Sequence, residues 1–331
     1  MVLLENLSIP SFTAAVRAFF AAEGIVTVED FLLHDLHKFL AVAEQSAVCV
    51  DVKEAVVEAL SYLENLQEKW KDGLGLSQQP VGYLSLGCES IDKLLEGGIQ
   101  EGTLTELVGA SSTGKTQICM QAAACAAYNQ QCSVIYVDTC GAFSSQRVAH
   151  MLGGMLGSLL QVEEQRTELT LSLKSIERIA VFDIFSLLTF LQGTYDKLLT
   201  ESENWRLRLL IIDSVSSVIS PVLGGNHSQG HALMISVGQI LKKLAARQRL
   251  AILFTNHTVA GIGGQPRPAL GGSWKSVPHT RLMLSHDSPR SDVYRMSILK
   301  HTGQCCSRQT TFRIGRAGLH SFDTREVATG R

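Results

Sequence analysis

Apolar residues recur every three to four positions in three early segments: FTAAVRAFFAAEGI (12–25), FLLHDLHKFLAVAE (31–44) and VKEAVVEALSYLENL (52–66). That spacing lines one face of an α-helix, so residues 1–70 are predicted to form a small helical domain. Asp51 is expected to cap the third helix, with Glu54 completing a capping box. The stretch KDGLGLSQQPVG (71–82) is rich in Gly, Pro and polar residues and reads as a linker.

From residue 83 the pattern changes. Short apolar runs of strand length alternate with helical segments, the arrangement of a parallel α/β domain spanning 83–331. LTELV (104–108), SVIYVD (133–138), IERIAVFDI (176–184), LRLLIIDS (207–214) and LAILFTNH (250–257) are the first strand candidates. RLMLSH (281–286), YRMSILKH (294–301) and TTFRIG (310–315) follow, and ALMISVGQILKKLAARQ (232–248) reads as a long helix.

A length of 331 residues suits two domains. With 45% hydrophobic and 18% charged residues, the balance is that of a soluble globular chain. No apolar run approaches the roughly 20 residues that cross a bilayer. The start, MVLLENLSIPSF, has no basic stretch and carries Glu5, so no secretory signal is expected. Eight cysteines without a CxxC pair fit reduced thiols in a reducing compartment. Charge is uneven: residues 1–70 hold 11 acids and 4 bases, whereas residues 281–331 hold 9 bases and 4 acids. An acidic first domain is a poor grip for phosphate.

Gly109-Ala110-Ser111-Ser112-Thr113-Gly114-Lys115-Thr116 matches G-x-x-x-x-G-K-[ST] in full, between a strand and a helix. The glycines let the backbone bend so that its N–H groups face a phosphate, and the helix N-terminus adds partial positive charge. Lys115 would bridge the β- and γ-phosphates of ATP, Thr116 would ligate Mg²⁺, and Gln117 continues the binding segment. Asp213 ends the apolar run LLIID and would reach the metal through water; alternatively, it caps the helix that follows. Thr255-Asn256-His257 closes the strand LAILF, where a polar side chain can sense the γ-phosphate; His257 can instead be an ordinary buried histidine. Hydrolysis needs a carboxylate to orient and deprotonate water. Cys140 stands where that carboxylate is expected after SVIYVD, with Asp138 nearby, so tight ATP binding and slow turnover are predicted.

These residues carry a family resemblance. LGCESIDKLLEGGIQEGTLTELVGASSTGKTQ is similar to the start of the ATPase core of RecA/RadA-type recombinases, and IYVDTCGAF, LLIIDSVSSVISPVLGG and FTNH follow in that family's order. More narrowly, DSVSSVISPVLGGNHSQGHALM and PALGGSWKSVPHTRL resemble the D-type paralogues of the eukaryotic Rad-fifty-one recombinase. The resemblance implies a RecA-like P-loop ATPase core with a twisted, mostly parallel sheet, preceded by a small helical domain. It implies ATP and Mg²⁺ as cofactors and action in the nucleus in DNA repair by homologous recombination. It also implies a hetero-oligomer with the C-type and the smaller X-ray-repair paralogues, supporting the recombinase on single-stranded DNA. Two DNA-lining loops map onto Pro221–Gly230, with Gly225, Asn226 and His227, and Val259–Gly272, with Arg267.

The departures matter as much. The family's catalytic glutamate position reads Cys140, and its sensor glutamine reads His257. The first loop, PVLGGNHSQG, has no Lys or Arg, so DNA affinity should be modest. The linker lacks the Phe-x-x-Ala peptide that the main recombinase uses to dock its neighbour, which disfavours the alternative of a self-sufficient, filament-forming strand-exchange ATPase. Trp274 would stack on a base or anchor the core. Arg281 would touch a neighbouring subunit's nucleotide or form a structural ion pair.

Overall fold

The computed structural model describes residues 3–4, 7, 9–46, 48–66, 80–156, 162–200, 207–224, 227–261, 266–287 and 292–322. The chain divides into two units, Met1–Pro80 and Val81–Arg331.

In the first unit, α1 (Ala14–Ala22) starts at Thr13, whose side chain accepts from the Val16 amide. Residues 31–44 do not form one helix. They divide between α2 (Val28–Leu33) and α3 (Leu36–Ala43), because Asp35 accepts from the Lys38 amide and restarts the helix. Side-chain capping of this kind competes with helix continuation. α4 (Cys49–Leu66) begins two residues before Asp51, and the Val52 amide already donates to Val48 O. Asp51 is therefore a first-turn residue rather than the cap; it favours the helix dipole instead. The four helices enclose Val16, Phe20, Phe31, Phe39 and Val52.

A capping box opens α2. Thr27 Oγ1 accepts from the Asp30 amide at 3.1 Å, and the Asp30 carboxylate accepts from the Thr27 amide at 2.8 Å. Thr27→Ala should cost about 1 kcal/mol, read as roughly fivefold faster hydrogen exchange of α2 amides.

The second unit opens with β1 (Tyr83–Leu84), α5 (Glu89–Leu94) and β2 (Ile99–Gln100), the two short strands pairing with each other. Then come β3 (Leu104–Gly109), α6 (Lys115–Asn129), β4 (Ser133–Asp138), α7 (Ser145–Leu156), α8 (Val162–Lys174) and β5 (Ile176–Ala180). They are followed by α9 (Ile184–Thr200), β6 (Leu207–Asp213), α10 (Val215–Leu223), α11 (His227–Gln248), β7 (Ala251–Ala260) and β8 (Pro266–Pro268). β9 (Thr280–His286), β10 (Val293–Lys300), β11 (Gln309–Gly315) and β12 (Gly318–Ser321) complete the sheet.

Strand order is β12-β11-β10-β9-β3-β7-β6-β4-β5, with β8 paired to the end of β7. From β9 to β5 all neighbours are parallel, and β10 to β12 are antiparallel. The inner parallel strands β3, β6 and β4 are covered on both faces, which is why they read as largely apolar runs, whereas the edge strand β5 is mostly exposed. Leu107, Tyr136, Ile211 and Leu253 pack on one face with Ile118 of α6 and Val148 of α7. Ile135, Ile212 and Phe254 pack on the other with Leu187 of α9 and Leu241 of α11. The C-terminal ends of β3, β7, β6 and β4 share one edge, where open α/β sheets carry their binding crevice.

Several expectations need correcting. The run 176–184 is a strand only to Ala180; Asp183 accepts from the Phe185 and Ser186 amides and turns the chain into α9. The first expected loop is largely helical, with Pro221–Leu223 in α10 and His227–Gly230 in α11. The second is a β-hairpin at its base, where Val259 pairs with Arg267. Residues 71–79 of the expected linker, with Gly225, Asn226 and 262–265, lie outside the described residues.

Candidate functional site

β3 delivers the chain to a tight turn between Gly109 and Lys115. Ser112 (φ 64°) and Gly114 (φ 87°) take the left-handed conformation that lets the turn reverse into α6. A Cβ on Gly109 would meet Thr113 Oγ1 at 2.5 Å and Leu284 O at 2.9 Å, and one on Gly114 would meet Ile314 Cδ1 at 2.5 Å. Both positions therefore need glycine. Thr113 Oγ1 donates to Ala110 O at 2.8 Å and ties the turn across itself. Ser111 and Ser112 are exposed on its outer side. Lys115 and Thr116 open α6, so their amides have no carbonyl four residues back within the helix.

Lys115 is buried and folds its ammonium over the turn, donating to Gly109 O and Ala110 O at 2.7 Å each. Burial pushes its pKa down, and the Asp213 charge works against that shift. Asp213 ends β6 beside it. Its Oδ2 accepts from the Tyr136 hydroxyl at 3.0 Å and its Oδ1 from the Thr255 hydroxyl at 2.5 Å. Asp213 is not the helix cap; Ser214 fills that role for α10, accepting from the Ser217 amide. His257 sits across from Gly109 in the β3–β7 register. Its Nε2 lies 3.4 Å from Ser214 Oγ, and its amide donates to Ser216 Oγ. Burial and the Lys115 ammonium lower its pKa, and Asp213 opposes them. Lys115, Thr116, Asp213 and His257 are thus gathered on one sheet edge.

The turn after β4 closes the crevice. Thr139 Oγ1 accepts from the Ser214 amide at 2.6 Å and lies 2.6 Å from Ser217 Oγ, which binds this turn to β6 and α10. Asp138 accepts from the amides of Cys140, Ala142 and Phe143, and from Arg178 at 2.8 Å. Burial works against its charge, yet the Arg178 guanidinium and those amides outweigh it and hold the carboxyl below the usual range. Asp138 is committed to the turn. Cys140 stands exposed at its tip.

A second polar cluster lies deeper in the sheet. Glu106 of β3 pairs with Arg281 of β9 and accepts from Asn256 Nδ2 at 2.8 Å and Trp274 Nε1 at 3.2 Å. Trp274 is buried with its ring edge-on to Phe254, so it is a core anchor, and Arg281 is a buried structural ion pair. Burial pushes the Glu106 pKa up, and Arg281 opposes this.

Some expected residues stand apart. The Gln117 side chain accepts from Arg147 Nε at 2.7 Å, and that guanidinium also donates to Gly315 O and Arg316 O. Gln117 thus braces α6 against the β11–β12 turn. His227 starts α11, and Arg267 is exposed on β8. Sequence reasoning missed Tyr136, and it placed Thr255 only in the polar end of its strand without a link to Asp213. Tyr136 pairs with Ile211, two residues before Asp213, and Ile212 pairs with Phe254. Side chains two apart share a face, so strand register was the signal needed.

The residues present suit a nucleoside triphosphate with a hard divalent cation. A helix N-terminus, one ammonium and glycines where any Cβ would collide form the phosphate cradle. Among the described residues the Asp213 carboxylate accepts only from neutral hydroxyls, and no salt bridge pairs it. An oxygen acceptor of this kind matches Mg²⁺ with its retained waters.

Comparison with known proteins bears on the family and the fold. The Rad51 family model matches residues 77–320. The chain is 34% identical over 289 residues to the "DNA repair protein RAD51 homolog 4" of Bos taurus, covering 85% of this chain and 84% of that protein. It is 38% identical to the Mus musculus protein of the same name, covering 62% and 61%. It is 26% identical to "DNA repair and recombination protein RadA" of Aeropyrum pernix, covering 84% and 85%. The crystal structure of the RadB recombinase superposes with a TM-score of 0.59 at 21% identity, covering 72% of this chain and all of that one. The core fold is therefore RecA-like.

Proposed function

The chain belongs to the Rad51 family, and from that premise we propose that it is an ATP-binding recombinase paralogue acting in DNA repair by homologous recombination. In this reading it works in the nucleus as a subunit of a hetero-oligomer. Its partners are the C-type and smaller X-ray-repair paralogues, and it supports the strand-exchange recombinase on single-stranded DNA. No helix among the described residues is long and apolar enough to cross a membrane.

Lys115 exchanges its loop carbonyls for β- and γ-phosphate oxygens, and the amides at the start of α6 donate to the same phosphates. Thr116 and Asp213 hold Mg²⁺, Asp213 through water; when bound, the ion offsets phosphate charge. His257 faces the crevice from β7 and reads the terminal phosphate. Exposed Arg267 offers a single cation to DNA, so DNA contact stays modest.

One observation supports a binding role over brisk turnover. The carboxylate that ends β4, Asp138, is engaged by Arg178 and three amides, and Cys140, two positions on, offers an exposed thiol. A thiol is a weak acceptor compared with a carboxylate, so it orients and deprotonates water poorly. Wild-type protein should bind ATP and hydrolyse it slowly. Cys140→Glu should raise single-turnover hydrolysis by about 100-fold, the lower end of what general-base catalysis contributes. An unchanged rate would remove Cys140 from the base position. Failure of the wild type to bind ATP would remove the whole reading.

A further inference from the structure

We propose that Tyr136 and Thr255 are positioning residues that preset Asp213 as an acceptor for the water shell of Mg²⁺. The inference rests on the ATP·Mg²⁺ reading of the crevice and goes beyond it, because it assigns the metal response to two side chains that carry no charge.

Asp213 receives one hydroxyl on each carboxylate oxygen, from Tyr136 at 3.0 Å and from Thr255 at 2.5 Å. The donors come from the two strands that flank β6: β4 on one side and β7 on the other. Both donors are fully buried, and the Tyr136 ring is held against Phe143 at 4.8 Å. A carboxylate with both oxygens held cannot swing about its terminal bond. Each oxygen has two lone-pair sites, so one on each remains for a further donor such as a metal-bound water. Neutral donors bring no positive charge. A lysine or arginine in their place would fix the carboxylate but cancel the charge that attracts a cation.

Groups that orient a metal-binding carboxylate typically change metal affinity by 10- to 100-fold when removed. Packing alone predicts otherwise. A ring and a β-branched stem that only fill space would be replaced without consequence for Mg²⁺ by Phe and Val.

The test measures ATP affinity of full-length protein in Mg²⁺ and in EDTA, and takes the ratio. In the wild type the ratio should favour Mg²⁺. Tyr136→Phe and Thr255→Val should each shrink it by about 10-fold or more, with the Mg²⁺ midpoint shifted upward by a similar factor. Thr255→Ser, which restores the hydroxyl, should return the ratio towards the wild-type value. Lys115→Ala should weaken both arms together, which separates charge loss from carboxylate positioning. If Tyr136→Phe does not fold, the Thr255→Val and Thr255→Ser pair carries the comparison. A wild-type Mg²⁺ ratio in Thr255→Val, or in folded Tyr136→Phe, overturns the inference. A wild type that binds ATP equally with and without Mg²⁺ overturns the metal reading beneath it.

Discussion

Lys115→Ala is expected to lower ATP affinity by about 100-fold or more. The lysine is the one ammonium seated in the glycine turn, where it reaches two carbonyl oxygens at 2.7 Å. Each charge-assisted hydrogen bond to a phosphate oxygen is worth about 1.5–3 kcal/mol. Losing two such contacts removes about 3–6 kcal/mol, and each 1.4 kcal/mol is tenfold in affinity. Lys115→Arg is not a safe substitute, because a planar guanidinium does not reproduce a compact ammonium. Titration with a fluorescent ATP analogue measures the effect, with thermal unfolding as a check on folding. Wild-type affinity in the Ala variant would contradict the P-loop assignment.

The largest stability loss is expected from Arg281→Ala. Arg281 and Glu106 are both buried, and the substitution leaves a carboxylate in the sheet interior with only Asn256 and Trp274 as donors. Breaking one half of a buried ion pair costs about 3–5 kcal/mol, because the remaining charge has neither water nor a counter-ion. In a unit of this size each kcal/mol moves Tm by about 2–4 °C, so a fall on the order of 10 °C is expected in a thermal scan. The paired replacement Glu106→Leu with Arg281→Met should recover much of that loss, since an apolar pair of similar volume removes the stranded charge. Recovery will be incomplete, because Asn256 and Trp274 then lose their acceptor. A fall below about 1 kcal/mol in the single variant would mean that water reaches Glu106, contrary to its burial.

This ion pair also explains why Arg281 and Trp274 could not be assigned from sequence. Each type serves interfaces and cores alike. Only the approach of β3, β7 and β9 brings Glu106, Asn256, Arg281 and Trp274 to one point. Asp138 is similar. Its position beside Cys140 suggested a spare carboxylate, and Arg178, forty residues along the chain, commits it to the turn.

What the sequence determined by itself was local and periodic. The match from Gly109 to Thr116 lies at a strand-to-helix junction because its glycines permit the left-handed turn that the next residues need. The runs VIYV and LLII are apolar throughout because a parallel sheet buries both their faces. Asp213 stands out because an acid ends such a run. The tertiary structure decided everything that depended on which strand lies beside which. Tyr136 and Thr255 meet Asp213 only through the registers of β4, β6 and β7. The helical character of Pro221–Leu223 and His227–Gly230 and the strand pairing beyond Thr258 followed from backbone pairing and not from loop-like composition. Patterns at two, three and four residues are written in the chain. Contacts across forty to a hundred and seventy positions form only when the core closes, because burying both faces of the sheet is what fixes strand order and register.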